Sequence, residues 1–91
     1  DEIASVSPEE NPFLNFIIDA SSYTFADMKI ATGSQLWWSY PSWPSHIDHI
    51  LVTNELSADI DTTVVIKASP CYPDYGEVLS DHRPVAIRII P

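Results

Sequence analysis

Apolar and polar positions along this chain follow two periods, and the periods predict its elements. Phe13, Phe16 and Ile17 recur at helical spacing, flanked by Leu14 and Ile18. Ahead of them stand Pro12, suited to a first helical turn, and Asn11, suited to an N-cap. A short helix is therefore expected over residues 12–19, ended by Ser21 and Ser22. Residues 1–11, acidic and mixed, read as loop, and residues 23–31 fit an extended segment and a helix equally well. The aromatic stretch 35–40 reads as a short strand, which Pro41 and Pro44 bar from continuing. The clearest strand is 47–53, with Ile47, Ile50, Leu51 and Val52 as its core. Asn54 and Glu55 begin a turn, residues 62–68 form a second strand, and residues 69–76 a loop punctuated by Pro70, Pro73 and Gly76. A third strand covers 84–90, with Val85, Ile87 and Ile89 on one face and Ala86, Arg88 and Ile90 on the other.

Three strands and one short helix do not complete a two-layer domain, and 91 residues allow one domain at most. The composition is ordinary for a globular piece, 45% hydrophobic and 19% charged, with no apolar run long enough to span a bilayer. Asp1, Glu2, Pro8, Glu9 and Glu10 interrupt any secretory leader at the start. The net charge of −9 changes the picture more. Affinity for nucleic acid rests on cations that neutralise phosphates, and only Lys29, Lys67, Arg83 and Arg88 are available. The balance leans away from a long polyanion as partner. It is compatible with solubility alone, or with carboxylates gathered for a hard divalent cation. The single cysteine, Cys71, excludes an internal disulfide and reads as a small buried hydrophobe.

Two segments concentrate chemistry. In His46-Ile47-Asp48-His49, strand geometry puts His46 and Asp48 on one side and His49 on the other, so a metal site shared by the two histidines is not expected. Asp48, followed by Ile50, Leu51 and Val52, needs a partner if it is partly buried. In Ser80-Asp81-His82-Arg83-Pro84, the proline restricts Arg83 to extended geometry and stiffens the mount that carries His82. A carboxylate on one imidazole nitrogen fixes the tautomer and raises the basicity of the other, which makes histidine a general base near neutral pH. The pairing that joins the segments is Asp48 with His82, as neighbours in one sheet, leaving Asp81 for a cation.

These residues carry a family resemblance. His46-Ile47-Asp48-His49-Ile50-Leu51-Val52 resembles the "(R/H)-I-D-(Y/H)-I-(L/F)-(V/L)" strand of the endonuclease/exonuclease/phosphatase, or DNase I-like, superfamily. Ser80-Asp81-His82-Arg83-Pro84-Val85 resembles its closing "S-D-H-x-P-(V/I)" motif, and residues 38–46 resemble a bacterial branch. The resemblance covers about half the chain, residues 43–90. It implies an α/β fold, a part of the four-layer DNase I-like sandwich made of C-terminal strands of one sheet plus a short helix. It implies a divalent-metal-dependent phosphohydrolase that hydrolyses phosphate esters by in-line attack of water. Asp48 would orient His82, the catalytic base or donor, and Asp81 would stand at a Mg²⁺ or Mn²⁺ site. The upstream glutamate ligand, an early asparagine and the "G-D-x-N" motif have no counterpart here. Residues 1–91 are therefore expected to be a C-terminal fragment that begins where "G-D-x-N" ends, with the N-terminal half of the domain missing and the fragment alone inactive. The alternative is a non-catalytic relative that binds a phosphate or sugar ligand.

His46, on the Asp48 side, is a candidate phosphate contact. Trp43, with Trp37, Trp38 and Tyr40, is a candidate stacking platform for a substrate ring, or else local packing over a sheet edge. Asp19, Asp27, Asp59, Asp61 and Asp74 read as solvated loop charges.

Overall fold

The computed structural model describes residues 2–91 and is mixed α/β, with two small antiparallel sheets and short helices. The loop expectation for Asp1 lies outside the described residues. A 3-10 turn at Glu2–Ala4 drives Ile3 into the core. Helix α1 (Leu14–Ile18) is shorter than its periodicity predicts. Asn11 does not cap it: Phe13 holds the cap position, while buried Asn11 accepts from the Phe13 N–H at 3.0 Å and donates to the Ser5 carbonyl at 2.9 Å. The ambiguous stretch 23–31 divides into strand β1 (Tyr23–Phe25) and helix α2 (Met28–Ala31).

The expected strand 47–53 survives only as β2 (Leu51–Thr53), paired antiparallel with β1. The physical reason lies in its first half, where side chains take the amides that a neighbouring strand would have taken. Ser39 Oγ accepts from Ile47 and Asp48, and Asp27 Oδ1 accepts from Ile50. After helix α3 (Asn54–Ser57), strand β3 (Ile60–Val65) pairs antiparallel with β4 (Val85–Ile89), with an irregularity between Ile60 and Thr62. Between them, the expected loop over 69–76 gives way at its end to helix α4 (Tyr75–Val78), with Gly76 inside it. The expected strand at 35–40 is instead a 3-10 turn at Gln35–Trp37, followed by a single bridge between Tyr40 and Ser45.

The two hairpin-like sheets are separate, so the expected C-terminal strands do not belong to one sheet. The central cluster is small: Ile3, Phe25 and Ala31, with Phe13, Phe16, Ile17 and Met28 packed against it. Val6, Ile18, Leu36, Val78, Leu79 and Ile90 stand exposed. The molecule is flat, 41 × 36 × 20 Å. Its 14.0 Å radius of gyration exceeds the roughly 12 Å of a compact domain of this length. Among the described residues no helix is long and apolar enough to cross a membrane. Cys71 is exposed, which corrects the expectation of a buried thiol. The tip of its loop, between Pro70 and Pro73, has no core beneath it to receive a small side chain.

Candidate functional site

Asp48 and His82 meet. His82 Nδ1 lies 2.7 Å from Asp48 Oδ2, and both side chains are 38% exposed, open enough for a ligand to reach. Asp48 comes from the irregular entry to β2 and His82 from the bend before β4, so the contact bridges two sheets rather than adjacent strands of one. Several bonds hold the ring's mount. The His82 N–H donates to Ser80 Oγ at 3.0 Å, the Tyr75 hydroxyl donates to the His82 carbonyl at 2.9 Å, and the Tyr40 ring meets the imidazole edge-on at 5.1 Å. With Nδ1–H donating to the carboxylate, Nε2 keeps its lone pair and is the basic atom of the ring. Asp81 Oδ1 lies 3.9 Å from Nε2, beyond hydrogen-bond range, on a side chain 59% exposed. Beside them opens a cleft of about 280 Å³ whose walls include Pro41, Ser42, Tyr75, Asp81, His82 and Arg83.

His46 does not belong to this surface. It has no exposed area, and its ring turns inward to Asp27, which corrects its candidacy as a phosphate contact. Trp43 is 78% exposed at the tip of the Tyr40–Ser45 turn, outside the cleft walls. The aromatic residues do not form one platform. Trp38 is buried with Nε1 donating to the Ile30 carbonyl, Trp37 lies under the Lys67 ammonium at 3.8 Å, and Tyr40 abuts His82.

A second constellation has Asp27 at its hub, a residue expected to be solvated and in fact without exposed surface. Asp27 holds the N-cap position of α2, yet its carboxylate makes no cap bond. Oδ2 instead accepts from His46 Nε2 at 2.8 Å and from His49 Nδ1 at 2.7 Å, while Oδ1 accepts the Ile50 N–H at 2.8 Å. Both histidines thus reach one oxygen. The strand alternation that separated them fails because residues 46–50 are not in a ladder. His46 Nδ1 accepts from the Ser39 N–H at 3.3 Å, which leaves its proton on Nε2, facing Asp27. His49 has a carboxylate on each nitrogen, Asp27 on Nδ1 and Glu2 on Nε2 at 2.7 Å, an arrangement that suits the doubly protonated cation. The rings of Phe13 and Phe25 close over it edge-on at 5.6 and 5.7 Å.

The electrostatics follow from this wiring. Burial pushes the Asp27 carboxyl upward, but the bonds from His46, His49 and the Ile50 amide outweigh it and hold Asp27 far below the usual carboxylate range. Burial likewise pushes His49 downward, and the bonds and charges of Asp27 and Glu2 overcome it, so His49 is raised above its ordinary value. Among the described residues, Asp27, His46 and His49 are the only three such side chains whose ligand atoms lie within 4.8 Å of one another. Their nitrogen-rich set would suit a transition metal better than Mg²⁺. Their contacts of 2.7–2.8 Å, however, are hydrogen-bond lengths. A metal on His46 Nε2 would also require a proton on Nδ1, where the Ser39 amide already donates.

The signal for Asp27 was present in the sequence. Phe25 and Asp27 stand two apart at the end of an extended segment, so an inward Phe25 predicts an inward Asp27, and a buried aspartate demands histidine or arginine partners.

No family model matches the chain, and no curated protein or solved structure matches it.

Proposed function

We propose that this chain is the C-terminal part of a phosphohydrolase of the DNase I-like kind, with Asp48 and His82 as its dyad. The observation that carries the reading is the 2.7 Å bond between His82 Nδ1 and Asp48 Oδ2 at the edge of an open cleft. It joins the two segments whose motifs resemble that superfamily. In the proposed reaction, His82 Nε2 takes a proton from water as its oxygen attacks phosphorus. The bond to the leaving oxygen breaks, and that oxygen departs with the electron pair and is protonated. Asp48 holds the ring in the Nδ1–H tautomer and stabilises the imidazolium that forms. The exposed apolar residues, Val6, Ile18, Leu36, Val78, Leu79 and Ile90, favour a further half of the domain that covers part of this surface.

The metal that the resemblance implies does not fit the described residues by themselves. Mg²⁺ takes about six oxygen ligands in near-octahedral geometry. Asp81 brings one exposed carboxylate and belongs to no cluster of three ligand side chains. Among the described residues, Asp81 would supply only part of the ion's ligand set.

Phosphate-ester panels on the 91-residue chain, and on the chain joined to the upstream half that the reading requires, test it. The short chain is expected to be inactive. The longer protein is expected to turn over with Mg²⁺, and His82→Ala to lower its rate by about 10²–10⁴-fold, the usual worth of a general base. A His82→Ala rate within a few-fold of the parent refutes the role. A ligand-binding module without turnover draws its support from Trp43, 78% exposed, and would show ligand binding sensitive to Trp43→Ala with no hydrolysis.

A further inference from the structure

The Asp48–His82 bond spans two sheets that are not paired with each other, so neither sheet fixes the separation of the two side chains. One buried residue touches both arms. Ser39 has no exposed surface. Its Oγ accepts the N–H of Ile47 and the N–H of Asp48, each at 3.2 Å. Its carbonyl accepts the N–H of Arg83, the residue after His82, at 2.6 Å. Its own N–H donates to His46 Nδ1, and His46 in turn donates to Asp27. Ser39 is thus anchored from behind by the buried Asp27 hub and grips, in front, the backbone of both arms of the dyad. The Arg83 guanidinium closes the frame by donating to the carbonyls of Leu36 and Trp38, in the segment that carries Ser39.

Resting on the dyad reading above, we propose that Ser39 is the positioning residue of this site, a strut that sets the distance between Asp48 and His82. A hydroxyl oxygen has two lone pairs and can take two amides at once, which alanine cannot. The two grips are separable. Removing Oγ releases the Asp48 arm, while the Ser39 carbonyl and the Arg83 guanidinium still tie the β4 arm to the same segment. Asp48 then wanders from His82, and the imidazole reverts toward its ordinary preference for Nε2–H. The frame around the Asp27 cluster stays, because its bond from the Ser39 N–H does not involve the hydroxyl.

Ser39→Ala in the 91-residue chain tests this by NMR at pH 8. The amide exchange of Ile47 and Asp48 is expected to quicken about tenfold relative to Arg83, the factor that one lost net hydrogen bond predicts. The ¹⁵N shifts of His82 are expected to move from the Nδ1–H pattern to a mixture. Ile17→Ala, which loosens the apolar cluster away from the strut, serves as a control for general loss of stability and should leave the His82 tautomer unchanged. Unaltered Asp48 exchange and an unaltered tautomer in Ser39→Ala overturn the proposal. Should that variant fail to fold, the parent chain decides: Asp48 lies in no strand, so its amide is protected only if Ser39 holds it, and exchange at the free-peptide rate overturns the strut. Neither readout uses a substrate. A chain that hydrolyses nothing still tests the strut, and loss of the strut leaves the hydrolase reading to its own assay.

Discussion

Replacing Asp27 with asparagine keeps the shape of the buried hub and inverts half of its wiring. The carboxylate oxygens now accept from His46 Nε2, His49 Nδ1 and the Ile50 amide. In Asp27→Asn the amide oxygen can still serve Ile50. The new NH₂ group would then face the His46 Nε2–H and the His49 Nδ1–H, donor against donor, at a site where Asp27 and His46 have no exposed surface. His49 also loses the more deeply buried of its two counter-charges. Removing one partner from a buried ion pair costs about 3–5 kcal/mol. For a chain of this size that corresponds to a fall in melting temperature of roughly 12–40 °C, a large share of the 5–15 kcal/mol that holds a typical domain together. Thermal unfolding followed by far-UV circular dichroism at pH 7 measures it, with the urea midpoint as a second estimate. The control is Glu9→Gln, an exposed charge expected to change stability by less than about 0.5 kcal/mol. A melting temperature for Asp27→Asn within about 3 °C of the parent refutes the reasoning, because it means the carboxylate is not what organises the two imidazoles.

The same cluster predicts a pH profile with two falling limbs. His49 is raised in the folded chain, so its contribution is fully present below the unfolded value of about 6.5 and is lost as pH rises through the folded one. Asp27 is depressed, so its contribution is fully present above the unfolded value of about 3.9 and is lost as pH falls through the folded one. Melting temperatures across pH 2–10 should peak between the two unfolded values, and Glu2→Gln should start the alkaline decline at lower pH; a flat profile from pH 5 to 9 counts against the charged His49. Among the glycines, Gly33→Ala sets a Cβ 2.9 Å from the Lys29 carbonyl oxygen and should cost about 1–3 kcal/mol in urea denaturation. Gly76→Ala, open on all sides inside α4, should instead gain up to about 1 kcal/mol.

Much of the local structure was legible because it rests on period and residue type. Val85, Ala86, Ile87, Arg88 and Ile89 pair as a strand should, and Arg88 reaches solvent to meet Asp61. The helix around Phe16 forms, trimmed at both ends. What misled was polar wiring. Periodicity treats residues 46–53 as one strand, and only Leu51–Thr53 is one, because the amides ahead of it are claimed by the side chains of Ser39 and Asp27. Nothing in the residues beside Ile47 announces that the hydroxyl of Ser39, eight positions earlier, will outbid a neighbouring strand.

By itself the sequence determined the helix around Phe16, the strands over residues 51–53, 62–65 and 85–89, and that an aspartate at 48 and a histidine at 82 are suited to one another. Tertiary structure alone decided that these two meet across separate sheets and that His46 and His49 turn to the same oxygen of Asp27. The reason is range. Periodicity and turn chemistry act over a few residues, whereas the desolvation of a charge is resolved only by the partners that folding brings to it, here over separations of 19 and 22 residues.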